Sequence, residues 1–183
     1  MKQTIEILLG GSGGQGLGLA GVILAQALAE EEGLNVLETE AYGISMRGGM
    51  SRAEVLVSLE EINDIKVTEP DVLLAMSQPM ADLYIPRVKK DALVIVDSAF
   101  VTGVPPTGSK VFFLSLTEEA RKLGMEAAAN IVALGSITVL SKMLSKASLA
   151  NILRKKFPAS VIDINLKALD VGYEMGQQQT SST

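Results

Sequence analysis

Seven glycines crowd positions 10 to 21 of this chain (10, 11, 13, 14, 16, 18 and 21), directly behind the apolar run Thr4–Leu9. Glycine loses more backbone freedom on ordering than any other residue, so the stretch cannot read as one continuous helix. What fits is a buried strand over Thr4–Leu9, a tight turn over Gly10–Gly16, and a helix from Gln15 to about Glu32. Leu17, Ala20, Gly21, Leu24 and Leu28 fall on one stripe of that helix. Gly18, Ala20, Gly21 and Ala25 let it lie close to a sheet, and Gly33 suits its C-terminal cap. A strand, a turn and a helix in this order point to an α/β domain.

Ile7 to Ala29 carries no charge, which invites a signal or membrane reading. The glycines break such a helix, and Glu6 interrupts the basic-then-apolar order of a signal peptide. A second apolar stretch, Ala127–Ser141, contains Asn130, Ser136 and Thr138 and is short for a bilayer. It reads as a buried helix, and the expectation is a soluble, cytoplasmic protein without membrane contact.

Further along, Asn35–Glu40 reads as a short strand and Ala41–Met50 as a loop. Arg52–Ser58 alternates like a strand except at Leu56, so both of its faces are expected to be partly covered. Val72–Met76 and Ala92–Val96 are continuous apolar runs, the pattern of doubly covered parallel strands. Helical residues around Met80–Arg87 join them as a right-handed crossover. Val111–Leu114 is another strand. Helices are predicted over Leu116–Leu123, Glu126 to about Leu144, Ala147–Phe157 and Asp163–Tyr173. The whole predicts a single Rossmann-like, mainly parallel sheet flanked by helices, with a helical C-terminal third. One domain covers residues 1–176, and 177–183 read as a disordered polar tail.

The chain contains no cysteine and no histidine. Disulfides, thiolate zinc sites and iron–sulfur ligation by this chain are excluded, and so are the commonest general base and metal ligand. The net charge of −5 argues against nucleic acid as a partner.

Two segments carry the chemistry. Gly11-Ser-Gly13-Gly14-Gln15-Gly16 satisfies G-x-G-x-x-G between a strand and a helix. Free N–H groups at a helix start attract an anion. Read alone, the motif suggests a dinucleotide, with Glu38 or Glu40 holding a ribose, or else glycines that only permit close packing. The second segment is Tyr42 to Arg52. Among residues 1–65 the basic side chains are Lys2, Arg47 and Arg52, against ten acidic ones, and the two arginines bracket Gly48-Gly49. Such a loop can hold a phosphate, a carboxylate or a partner's acidic group, with glycine N–H groups assisting. Alternatively each arginine pairs with a nearby glutamate such as Glu40 or Glu54. The segment leads from one strand directly into another, where an ordinary dinucleotide fold has a crossover helix. Asp97, closing a strand, suits either a ligand or, more simply, the cap of the turn behind it.

Taken together, Gly10-Gly-Ser-Gly-Gly-Gln-Gly-Leu-Gly-Leu-Ala-Gly21 and Tyr42-Gly-Ile-Ser-Met-Arg-Gly-Gly-Met-Ser-Arg52-Ala-Glu-Val resemble the gamma subunit of 2-oxoacid:ferredoxin oxidoreductases. Val67-Thr-Glu-Pro-Asp-Val-Leu, Val96-Asp-Ser, Ala128-Ala-Asn-Ile-Val-Ala-Leu-Gly135 and Asn165-Leu-Lys-Ala-Leu-Asp-Val-Gly-Tyr173 extend the likeness over about residues 4 to 176. The resemblance implies one chain of a heteromultimer that converts a 2-oxoacid and coenzyme A to acyl-CoA and carbon dioxide while reducing ferredoxin. It implies alpha, beta and ferredoxin-like delta subunits as partners. Thiamine diphosphate, magnesium and iron–sulfur clusters lie in those partners, with no cofactor on this chain alone and coenzyme A as substrate. No catalytic or metal-binding residue is assigned here. The expected partner- or anion-binding set is Gly11, Gly13, Gly14, Gln15, Gly16, Tyr42, Arg47, Gly48, Gly49, Ser51 and Arg52. Many 2-oxoglutarate or branched-chain relatives carry Pro-Glu-Ala where Ile44-Ser45-Met46 stand, so the 2-oxoacid stays open among pyruvate, 2-oxoglutarate, branched-chain acids and indolepyruvate. The alternatives are a stand-alone NAD(P)-dependent oxidoreductase and a flavodoxin-like binding domain.

Overall fold

The computed structural model describes residues 4–42, 49–63 and 65–181, with the backbone alone for Tyr42. Six strands form one mixed sheet in the order β2-β3-β1-β4-β5-β6. They are β1 (Ile5–Ser12), β2 (Asn35–Tyr42), β3 (Met50–Ser58), β4 (Val72–Ala75), β5 (Leu93–Asp97) and β6 (Val111–Leu114). β1, β4, β5 and β6 pair in parallel, as continuous apolar runs demand. β3 runs against both β1 and β2. The expected mainly parallel sheet is therefore interrupted by one reversed strand, wedged between the first two strands of the chain.

The connection behind β2 explains that reversal. It is too short for the dozen or more residues of a parallel crossover, so the chain can only turn back. The expected loop over Ala41–Met50 is shorter than read, because Ala41 and Tyr42 complete β2 and Met50 opens β3. Residues 43–48 lie outside the described part.

Helix α1 (Leu17–Gln26) continues into a wider turn, Ala27–Glu31, and packs on one sheet face. α3 (Leu116–Lys122), α4 (Ala129–Ser141) and α5 (Lys146–Lys156) share the core of that face. α2 (Gln78–Tyr84) covers the other face over Leu8, Leu73, Ala75 and Val96. Leu56 is buried although it breaks the alternation of β3, as double cover requires. Ten of the thirteen residues of α4 are buried, so the apolar stretch is an interior helix. Among the described residues no helix is long and apolar enough to cross a membrane.

α6 (Ala159–Ser181) lies across α4 at backbone contact. A Cβ on Gly135 would stand 2.5 Å from the Leu169 carbonyl oxygen, and one on Gly172 would collide with the Val132 backbone. The Ser136 hydroxyl donates to the Gly172 carbonyl at 2.9 Å. The last helix is longer than the predicted Asp163–Tyr173. Of the tail expected to be disordered over 177–183, residues 177–181 continue this helix, and 182 and 183 lie outside the described residues. Thr180 and Ser181 donate their hydroxyls back to the Gln177 carbonyl, local bonds that suit a polar helix end.

At the amino ends of the strands, Lys89 reaches Glu6 at 2.8 Å and Asp71 at 2.7 Å. Glu6 also accepts from the amides of Thr68 and Glu69. Burial pushes the Glu6 carboxyl up, but Lys89 and those amides outweigh it and hold it below the usual carboxylate value.

Candidate functional site

The carboxyl end of β1 enters the glycine turn. Gly14 and Gly16 sit at φ +94° and +70°, the left-handed region that side chains rarely adopt. Gln15 braces the turn from within. Its Oε1 accepts from the Ser12 amide at 2.6 Å, and its Nε2 donates to the Met76 carbonyl at 2.9 Å, behind β4. A Cβ on Gly11 would stand 2.2 Å from Gln15 Oε1 and 2.8 Å from a Leu17 methyl, so a side chain there would have to displace the Gln15 brace.

Two further contacts hold the turn from outside. The Gly13 amide donates to the Gly49 carbonyl at 2.9 Å, joining the two glycine segments that the sequence sets some thirty residues apart. The Asn130 Nδ2 donates to the Gly16 carbonyl at 2.8 Å from α4. Among the described residues the amides of Gly14, Gly16, Leu17, Gly18 and Leu19 donate to no acceptor. These are the orphan donors of a helix start and of the turn that feeds it. They create a local site of positive potential for an anion.

Apolar side chains border these amides, together with the carboxylates of Glu40, against Gly18, and of Glu126 at the neighbouring cleft. Leu19, Met50 and Phe100 are exposed large hydrophobic side chains at this end of the sheet. Between the turn and the start of α4 lies a cleft of about 270 Å³, bordered by Gly14, Gln15, Met76, Phe100, Thr117 and Ala129. Asp97 is fully buried and accepts from the Ala99 amide and from the Thr117 amide and hydroxyl. It is a cap, the simpler of its two readings.

The proposed anion set divides. Gly11, Gly13, Gly14, Gln15, Gly16 and Gly49 come together at the turn. Ser51 is buried opposite Gly11 on β3. The Tyr42 backbone pairs with Ser51. Arg47 and Gly48 lie outside the described residues. Arg52 points away to the α2 face, where its Nε donates to Glu54 Oε1 at 2.7 Å and its guanidinium stands 5.9 Å from the Tyr84 ring centre. Glu54 is fixed in turn by the Val67 amide at 3.0 Å. For Arg52 the glutamate-pairing alternative holds.

Glu38 and Glu40 are not placed as ribose ligands either. Glu40 lies against Gly18 and Glu38 against Gly21, so both carboxylates lean on the flank of α1. Burial and then the Glu40 charge push the Glu38 carboxyl up, and its Oε1 has no hydrogen-bond partner among the described residues. Asn130 and Met76 were not foreseen as site residues. Asn130 meets the turn from 114 residues away, and nothing in local spacing could announce it.

A model of the pyruvate ferredoxin/flavodoxin oxidoreductase family matches residues 6–175. The chain belongs to that family. Its relatives include the 2-oxoglutarate synthase subunit KorC of Methanocaldococcus jannaschii, 37% identical over 97% of both chains. KorC of Archaeoglobus fulgidus is 33% identical over 98% of this chain and 92% of its own. Among solved structures, the gamma subunit of a keto/oxoacid ferredoxin oxidoreductase from Geobacter sulfurreducens superposes with a TM-score of 0.87. It is 34% identical, covering 96% of this chain and 97% of that one. A 2-oxoglutarate:ferredoxin oxidoreductase from Magnetococcus marinus, with 2-oxoglutarate, coenzyme A and succinyl-CoA bound, contains the same fold. Its TM-score is 0.85 at 24% identity, over 97% of this chain and 32% of that one. Within the family this chain is a gamma-type subunit of an oxidoreductase, and the stand-alone NAD(P) enzyme is set aside.

Proposed function

We propose that this chain is the gamma subunit of a 2-oxoglutarate:ferredoxin oxidoreductase and that its glycine turn receives phosphate oxygens of coenzyme A. The relatives named KorC favour 2-oxoglutarate over the other 2-oxoacids. The complex converts the 2-oxoacid, coenzyme A and oxidised ferredoxin to acyl-CoA, carbon dioxide and reduced ferredoxin. Thiamine diphosphate, with magnesium, supplies the decarboxylation chemistry from the alpha and beta partners, and clusters in partner chains carry the electrons.

The observation that carries the coenzyme A role is the group of five amides left without acceptors at the carboxyl end of β1. An anion there accepts from rigid backbone donors that cost no side-chain ordering. Arg47, of the Arg-Gly-Gly segment, is the cation proposed to complete the charge match, whereas Arg52 pairs with Glu54. Leu19, Met50 and Phe100 give the same rim an apolar surface for the thiamine-binding chains.

Purification of the tagged chain from its native cells tests the assembly. Thiamine- and cluster-containing chains should co-purify, and the eluate should reduce ferredoxin with coenzyme A and 2-oxoglutarate faster than with pyruvate, a branched-chain acid or indolepyruvate. A lone chain without such partners sinks the reading. Arg47→Ala should raise the KM for coenzyme A while Arg52→Ala leaves it near the parent value. Equal effects would return Arg52 to the site.

A further inference from the structure

We propose that Asn130 is a positioning residue for coenzyme A: from α4 its carboxamide sets the direction of the free amides in the glycine turn. The inference rests on the reading of that turn as the phosphate site.

Asn130 is 3% exposed and second in α4. A polar side chain at a helix start ordinarily serves its own helix, yet α4 has no side-chain cap. The carboxamide crosses instead to the Gly16 carbonyl. That carbonyl already accepts from the Ala20 amide at 3.0 Å. It has no need of Asn130 to be satisfied, so the second bond acts on orientation.

The peptide unit is planar, so the Gly16 carbonyl and the Leu17 N–H point in opposite directions on one rigid plate. Holding the carbonyl towards α4 holds the Leu17 N–H away from it. The left-handed Gly16, at φ 70° and ψ 30°, is the joint about which that plate would turn. Asn130 also fills the space beside it, since a Cβ on Gly16 would stand 2.6 Å from Nδ2. Gln15 fixes the entry to the turn and Asn130 fixes its exit.

The test uses steady-state kinetics of the assembled complex carrying Asn130→Ala, Asn130→Asp or Gly14→Asp. The aspartate at 14 places a carboxylate beside the free amides, where φ is +94° and no atom lies within 4 Å of a Cβ. The expected result is a KM for coenzyme A raised roughly tenfold in Asn130→Ala, as a misplaced binding group produces. Asn130→Asp should raise it further, because it sets an oxygen against the Gly16 carbonyl. kcat and the KM for the 2-oxoacid should stay within about twofold throughout.

If Gly14→Asp raises the coenzyme A KM and neither Asn130 variant does, Asn130 is only a packing residue and the proposal is overturned. If none of the three moves it, the turn is not the coenzyme A site, and the proposal falls together with that reading. A loss shared by both substrates and kcat marks general loosening and also overturns it. Should the alanine variant fail to assemble, Asn130→Asp, which keeps the side-chain volume, carries the same comparison.

Discussion

The two ends of β1 treat polar groups in opposite ways. At the amino end, Glu6 is answered by the Lys89 ammonium and two backbone amides, and Asp71 shares the same lysine. At the carboxyl end, five amides have no acceptor among the described residues, although Gln15 and Asn130 stand close enough to brace the carbonyls and the entry of the same turn. The Gln15 carboxamide satisfies the Ser12 amide and the Met76 carbonyl, and Asn130 the Gly16 carbonyl, which leaves the five amides open. The closed end contributes stability, and the open end keeps its donors for something outside the chain.

The largest expected effect comes from breaking the closed end. Lys89→Met leaves two poorly exposed carboxylates facing each other, and should cost about 2–3 kcal/mol in urea unfolding at neutral pH. Glu6 lies below the usual carboxylate value when folded. Its contribution is therefore complete above the unfolded value and is lost as pH falls through the folded one. The difference between Lys89→Met and parent should shrink in acid, and a difference constant with pH would refute this account.

Next comes the open end. Gly16→Ala meets the left-handed backbone and the Asn130 Nδ2, and should cost about 1–2 kcal/mol by the same measurement. Unlike Lys89→Met, it should also raise the KM for coenzyme A in the complex. If both variants affect only stability, the two ends do not differ in the way described.

The smallest effect sits on the flank of α1. Burial, then Glu40, holds the Glu38 carboxyl above the usual value. The folded state is thus penalised once pH rises past the unfolded value, and the penalty is complete above the folded one. Glu38→Gln should stabilise the chain by roughly half a kcal/mol at neutral pH after allowance for solvent screening, with no gain in acid. Denaturation midpoints at two pH values decide it, and a gain that persists in acid would show that packing, not charge, limits Glu38.

The sequence made the strand–turn–helix legible because glycine leaves a mark that nothing else does. Doubly covered strands and the interior helix were equally legible from unbroken apolar runs. Less visible was the reversal of β3, which depends on the length of a connection and not on any motif. The helical continuation over 177–181 escaped because a polar segment without apolar period looks the same whether it frays or extends a helix begun upstream. At the site, the joining of the two glycine segments could be expected from their shared chemistry. The choice between an anion and a glutamate for Arg52 was open in the sequence, and strand alternation decides it by placing Arg52 with Glu54 and Tyr84 on the α2 face.

The backbone contact between α4 and α6 has a consequence for biosynthesis. The chain emerges amino end first, so α4, with ten buried residues in thirteen, is made before the helix that shelters it. Without α6, the surface of α4 at Val132, Gly135 and Ser136 would stand uncovered. Cover for the interior helix thus depends on a segment made after it, and synthesis interrupted before α6 would leave that face of α4 open.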